Sequence, residues 1–430
     1  MSRELSALAA HGARRPRADG QQDILIRPFA SPVASGADQS GVRLYNERLL
    51  LSLVRRFGPL SKIEVARMTG LSVQSTSAIM NRLQTEGLLK REAPLRGRVG
   101  QPTVPMSLDP DGAFSIGLKI GRRSCDLVLI DFRGAVRNRL RRTFSFPTPE
   151  MTLDFVESSL ASLVGTLEPQ NQRRISGLGI AAPFQIWTWE KEIGAPAGAM
   201  QAWRDFDIEQ KIGDLCPYPV QLCNDATAAC AAEFFLGRSW RYRDFLYFFV
   251  GAFIGGGMVL DGALRLGRSG NAAALGSMPV TPKGAGGVAP QLVACASITQ
   301  LERALTQAGL DPSPIWDTPD SWADFGIPID RWIEDVASAL AYASVAATSV
   351  IDFEAIVIDG EMPAGVRDRL TARTAQVFQT LDRRGLSDVE IVPGVIGADA
   401  GAIGGASLPL IKNFGRDREV LLKDVAALAN

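Results

Sequence analysis

Ser72 opens a run, Val73 to Leu83, in which the groups able to read a base edge all fall on one side of a helical wheel. At 100° per residue, Val73, Thr76, Ile79, Met80 and Leu83 share the inner side, and Gln74, Ser75, Ala78, Asn81 and Arg82 share the outer one. Gln and Asn can bond bidentately to adenine, Arg reaches guanine or phosphate, and Ala78 is small enough to approach a thymine methyl. Lys62 and Ser72, at the starts of two successive helices, join this set as candidate DNA contacts. Further on, Arg96-Gly97-Arg98-Val99-Gly100-Gln101-Pro102 sits where a β-wing would turn back. Its arginines suit a narrow minor groove, and Gln101 completes the candidate DNA-binding residues. The plain alternatives are a solvated helix face and an ordinary surface hairpin.

Metal and thiol chemistry find less support. The five cysteines, Cys125, Cys216, Cys223, Cys230 and Cys295, are scattered without a closely spaced pair, and the one histidine, His11, lies near the N-terminus. Zinc needs paired thiolates or imidazoles, so buried reduced thiols and no metal or cofactor are expected.

The elements that must position the DNA-reading residues are written nearby. Leu50, Leu53, Val54 and Phe57 mark a first helix, stopped at Phe57-Gly58-Pro59. Ser61 with Glu64 three residues on forms a capping box for KIEVARM, and Thr69-Gly70-Leu71 makes the turn into the helix that Ser72 caps and Gly87 ends. The β-like stretch LLKREAPLRGRVGQPTVPMSL follows. This is the pattern of a winged helix-turn-helix over residues 41–110, behind a flexible tail at 1–40 whose Arg14, Arg15 and Arg17 could brush phosphates.

Charge agrees. The whole chain is formally neutral, yet Gly41 to Leu108 holds eleven Lys/Arg against four Glu, so this window carries +7 and the remainder −7. A basic module on a mildly acidic body is the layout of a regulator. The N-terminus lacks an apolar signal region, and the longest apolar run, FLYFFVGAFIGGGMVL (245–260), is broken by four glycines. It reads as two buried strands and a tight loop, so a cytoplasmic protein with no membrane span is expected.

From residue 111 to 430, strand-like runs alternate with helical ones, an α/β pattern. FSIGLKI and CDLVLIDFRG suggest a strand pair, ISGLGIAAP, PVQLCND and EAIVIDG further strands, and residues 329–351 a long Ala-rich helix.

Several blocks of this region resemble the ROK family (repressors, open reading frames and kinases): WRDFDI (203–208), PVQLCNDATAACAAEFFLG (219–237), GAFIGGGMVLDGALRLGRSGNAAALGSMPV (251–280), EAIVIDGEMP (354–363) and GADAGAIGGA (397–406). The resemblance implies an actin-like (ribonuclease H-like), two-lobed sugar-kinase fold with a sugar-binding cleft, which in kinase members also takes ATP. It also implies which residues would act there. The kinase loop DxGGT is matched by Lys119-Ile120-Gly121-Arg122-Arg123, so the carboxylate has become a Lys and two arginines fill the loop. GTGIGGG is matched by Gly251 to Gly257, with Ala252 and Phe253 replacing a hydroxyl and a glycine. Asp225 matches the family's catalytic base, though an Asp at a strand end can equally cap the next helix. The sugar-binding Glu and His of GExGH are matched by Ala274 and Ser277, the zinc motif is missing, and Ala199 stands where an Asn is expected. Trp203, Asn224, Asp225, Phe253, Gly256 and Gly257 are the candidate ligand-binding residues. No catalytic residue is assigned, and an ordinary hexose is expected to bind poorly.

The resulting expectation is a sequence-specific transcriptional regulator, a repressor of a double-stranded DNA operator. It would act as a homodimer or dimer of dimers under a small carbohydrate-like effector. Two other readings stay open: a ligand-independent regulator whose body serves dimerisation or partner binding, and a sugar kinase with an appended DNA-binding module.

Overall fold

The computed structural model describes residues 39–94, 103–190, 194–280, 289–317 and 322–416. The wing-tip candidates Arg96, Arg98 and Gln101 lie outside the described residues, as do His11, Arg14, Arg15 and Arg17.

Helices α1 (Gln39–Phe57), α2 (Lys62–Thr69) and α3 (Val73–Thr85) lead into the antiparallel strands β1 (Leu89–Arg91) and β2 (Met106–Leu108). The capping box forms as the sequence predicts: Ser61 Oγ accepts from the Glu64 amide at 3.2 Å, and Glu64 Oε2 accepts from the Ser61 amide at 2.8 Å. Gly70 ends α2 at φ 73°, a left-handed conformation suited to glycine. Leu50, Leu51, Val54, Val65, Met80 and Leu83 make the core.

Two inward-facing residues turn out otherwise. Val73 is 52% exposed, because it opens α3 and its side chain points back beyond the packed turn. Phe57 leaves the bundle and packs edge-on against Trp240, ring centroids 5.2 Å apart.

The remainder is built from two five-stranded sheets of one topology. In lobe I, β3 (Phe114–Ile120), β4 (Ser124–Asp131) and β5 (Val136–Thr143) form an antiparallel meander; after α4 (Pro149–Val164), β6 (Ile175–Ala182) joins parallel to β3. Helix α5 (Ile208–Leu215) then precedes β7 (Val220–Asn224), giving the order β5-β4-β3-β6-β7. Helix α6 (Asp225–Leu236) leads to lobe II, where β8 (Phe245–Val250), β9 (Ile254–Leu260) and β10 (Ala263–Leu264) repeat the meander. Helices α7 (Ile298–Gln307) and α8 (Gly326–Thr348) follow. Then β11 (Ala355–Gly360), α9 (Ala364–Thr380), β12 (Glu390–Pro393) and α10 (Ala400–Phe414) complete the order β10-β9-β8-β11-β12.

Strand β8 shows how this sheet is buried on both faces: Leu246, Phe248 and Val250 point to the cluster under α7, α8 and α9. Phe245, Tyr247 and Phe249 point to that of α6. Helices α6 and α10 pack together so closely that a Cβ on Gly404 would overlap the Ala228 carbonyl oxygen. Among the described residues no helix is long and apolar enough to cross a membrane.

The helix-turn-helix is built into the body. Ala402, Ala406 and Leu410 of α10, with Phe132, belong to the same apolar cluster as Leu50 and Met80. Arg55 donates to the Phe132 carbonyl at 2.6 Å, and its guanidinium lies 4.9 Å from the Phe132 ring and 4.1 Å from that of Phe235. On the far side, Arg174 bonds the Gly112 carbonyl at 3.2 Å and the Glu86 carbonyl at 3.4 Å.

Candidate functional site

Two sites emerge, one on α3 and one between the lobes. On α3, Thr76, Met80 and Leu83 are buried, which leaves Gln74, Ser75, Ala78 and Asn81 exposed in a row. Ser72 Oγ accepts from the Ser75 amide at 3.0 Å and lies 2.9 Å from Ser75 Oγ, so these two hydroxyls act as a unit at the helix start. Lys62 donates to Asn81 Oδ1 at 2.7 Å, which fixes the Asn81 amide and sets a cation beside it. Arg82 is arranged differently. It pairs with Glu47 of α1 and is thereby drawn toward the scaffold, away from the row. The exposed apolar residues Val73 and Ile63 are of the type that meets thymine methyls. Ile63 was missed because nothing in the spacing of so short a helix sets it apart.

The interlobe cleft has a volume of about 1070 Å³. The β3–β4 turn at its edge carries Lys119, Arg122 and Arg123, and all three cross to carboxylates of lobe II. Lys119 pairs with Glu361, which follows β11. Arg122 and Arg123 pair with Glu302 of α7 at 3.1 and 3.3 Å, and their guanidiniums lie 5.7 and 5.8 Å from the Trp316 ring. Burial alone would lower the Lys119 pKa, but Glu361, Asp126 and Asp225 outweigh it and hold the ammonium above its usual range. A magnesium–phosphate group does not fit this arrangement. The metal-holding carboxylate is absent at 119, and the protein's own acids occupy the cations.

Asp225 sits on the cleft floor. Burial pushes its carboxyl up to about 6, against the pull of Lys119 and the Ala226 amide. Its neighbour Asn224 accepts from the Ala226 and Thr227 amides at 3.1 and 3.3 Å, so it is a helix cap as well as a lining residue. Phe253 lines the cleft and meets Trp189 of lobe I edge-on, centroids 4.7 Å apart. Gly256 also lines it, and a Cβ there would come within 2.5 Å of the Tyr247 carbonyl oxygen.

Two expected ligand contacts lie elsewhere. Trp203 is buried in the lobe I core, its indole N–H donating to the Pro147 carbonyl at 3.0 Å. Gly257 faces away from the cleft against Cys230, where a Cβ would lie 2.5 Å from the cysteine Cβ. Both belong to matched blocks, and a block match does not separate a packing residue from a lining one. At the matched sugar site, Ala273 has φ 53°, and Ala274 and Ser277 carry no ionisable group. Among the described residues no cluster of His, Cys, Asp and Glu could hold a metal ion.

Comparison with known proteins places both parts. Residues 115–411 match the family model described as ROK family, and residues 45–98 match that of the MarR family. The chain is 26% identical over 244 residues to the xylose repressor of Bacillus subtilis (strain 168), covering 57% of this chain and 62% of that one. It therefore spans about three fifths of the length of this curated relative. In structure it resembles a ROK family transcriptional regulator described as a homolog of the E. coli MLC protein. The TM-score is 0.61 at 19% identity, over 89% of this chain and 99% of that one. A ROK family glucokinase from Streptomyces griseus, in complex with glucose and AMPPNP, aligns with TM-score 0.54 at 19% identity over 69% of this chain and 99% of that one. At such identities these likenesses establish the fold: a winged helix-turn-helix joined to an actin-like, two-lobed sugar-kinase architecture.

Proposed function

The chain belongs to the ROK family, and from that premise we propose that it is a sequence-specific DNA-binding transcriptional regulator, a repressor, that is not a sugar kinase. The observation that carries this reading is the row Gln74, Ser75, Ala78 and Asn81, exposed on a helix whose other side is buried. Among the described residues nothing covers the row, and its side chains have the donor and acceptor pattern that major-groove edges require. Arg96, Arg98 and Gln101 are proposed to add minor-groove and phosphate contacts from the wing. Arg82 would touch DNA only after leaving Glu47.

The kinase-like body serves as the sensing part. Its cleft takes a small carbohydrate-like effector between Asn224, Asp225, Phe253 and Gly256, and two copies of the chain bind a palindromic operator as a homodimer or dimer of dimers. An effector acts only through its different affinities for two lobe arrangements, and the named relative, a xylose repressor, supports a sugar-related signal.

The test is to capture fragmented DNA from the protein's own genome on the purified full chain and sequence what is retained. Enrichment of a few palindromic sites is the expected result. Absence of sequence preference, both alone and with a metabolite extract added, would overturn the proposal.

A further inference from the structure

Three cations of the cleft project from one hairpin, while a fourth, Arg141 of β5, is paired with Asp126 of its own lobe. Lys119, Arg122 and Arg123 lie within five residues across the β3–β4 turn, and each is held by a carboxylate that reaches over from lobe II. Those carboxylates come from separate elements, Glu302 from α7 and Glu361 from beyond β11. The cationic half of these ties is therefore convergent and the anionic half is dispersed. A ligand can shift the lobes only by interacting differently with two arrangements of them, and these ion pairs are contacts that join one lobe to the other. A convergent cationic set can be taken over by one small molecule, which must be an anion.

The arginine pair already displays the required geometry. Arg122 and Arg123 grip the two oxygens of one carboxylate, and planar guanidiniums recognise this group with directional, charge-assisted bonds. Arg123 is 49% exposed, so an incoming acid can reach it before Glu302 leaves. The Trp189–Phe253 pair offers an apolar surface in the same cleft for a ring to rest on, while the positions that would bind sugar hydroxyls strongly hold Ala274 and Ser277. Resting on the effector-controlled reading above, we propose that the cleft binds a ring-bearing carboxylic acid. Its carboxylate exchanges with that of Glu302 on Arg122 and Arg123, releasing the tie between the lobes.

The experiment uses the full chain and follows binding by thermal shift and calorimetry. The probes are D-glucuronate and benzoate, with D-glucose as the neutral match. At least one acid is expected to bind and stabilise the wild-type protein while glucose does not. In R122Q/R123Q that acid should bind at least about tenfold more weakly, the scale of a lost charge-assisted contact. In E302Q, where the internal competitor is gone, it should bind more tightly than to wild type. Failure of both acids to bind wild type, equal binding of glucose, or unchanged affinity in E302Q would overturn the proposal. E302Q keeps the test decisive if the double variant does not fold. Because the readout is binding to protein alone, a negative result leaves operator recognition untouched, and loss of operator recognition would appear in DNA capture instead.

Discussion

The aliphatic stem of Lys119 lies on Gly401, so close that a Cβ there would stand 3.1 Å from Lys119 Cδ. Gly401 lies in the first turn of α10, and Ala402, Ala406 and Leu410 of the same helix sit in the core that supports α3. One helix thus touches both the interlobe tie and the base of the helix-turn-helix. G401V is expected to push Lys119 off Glu361 and weaken operator binding roughly three- to thirtyfold, the usual range for substitutions along a coupled element. Affinity measured by gel-shift titration should fall while the selected consensus stays the same. An unaltered affinity would remove α10 as the connection.

Asp225 offers a pH signature. Its folded-state pKa is raised to about 6 from an ordinary 3.8, so between these values the folded protein keeps a proton that the unfolded chain has released. Stability from this group is present at low pH and lost as pH rises through about 6. D225N removes the penalty. Discounted for partial exposure, the gain should be about 1–2 kcal/mol at pH 8, and it should vanish near pH 4. Denaturant melts of both proteins across this range give the measurement, and a gain independent of pH would contradict the assignment.

The same variant bears on catalysis. Wild type and D225N are both expected to give no sugar phosphate when incubated with ATP, magnesium and a hexose panel, because Lys119 occupies the metal-holding position. Turnover by the wild type that D225N abolishes would show that the phosphate loops still work.

Two proposed DNA contacts should separate in their effects. Q74A is expected to relax preference at one base pair, with a loss of about 1–3 kcal/mol on the preferred operator. K62A should weaken binding and lower the salt slope by about one, as loss of one phosphate contact would, whereas Q74A should leave the slope unchanged. A binding selection repeated at two salt concentrations distinguishes them. An identical consensus from Q74A would take that residue out of the readout.

Close packing of α6 on α10 predicts a contrast between glycines. G404A should cost about 1–3 kcal/mol or more, because its Cβ meets backbone that cannot yield. Gly213 in α5 has open space around it, and G213A should stabilise by about 0.5–1 kcal/mol through helix propensity alone. Thermal melts of the two variants should move in opposite directions.

Much of this was legible in residue order. Ser61, Glu64, Gly70 and Ser72 act locally, so caps and turn could be read directly, and the unbroken apolar run FLYFFV announced a buried strand. Strand β5 was not legible. VRNRLRRT has no apolar alternation, and its periodicity lies in charge: Arg137, Arg139 and Arg141 meet Asp131, Asp399 and Asp126, partners set by tertiary structure. The interlobe pairs were hidden for the same reason. Lys119 could be seen as a loss of metal chemistry, but nothing local to it names Glu361, 242 residues away. Trp203 and Gly257 mark the opposite error, in which a block match was taken to imply contact with ligand.

The seating of Arg55 between Phe132 and Phe235 has a consequence for the DNA itself. A helix-turn-helix held by a half-buried guanidinium, a shared apolar core and Arg174 at its far edge is braced against its own body. In the proposed dimer the two α3 helices would become the jaws of a fixed calliper, whose opening is set by the association and not by any tether. Such a calliper measures groove phase. An operator lengthened by about five base pairs, half a helical turn, would turn one major groove away from its jaw, and one lengthened by a full turn would restore the facing but not the gap.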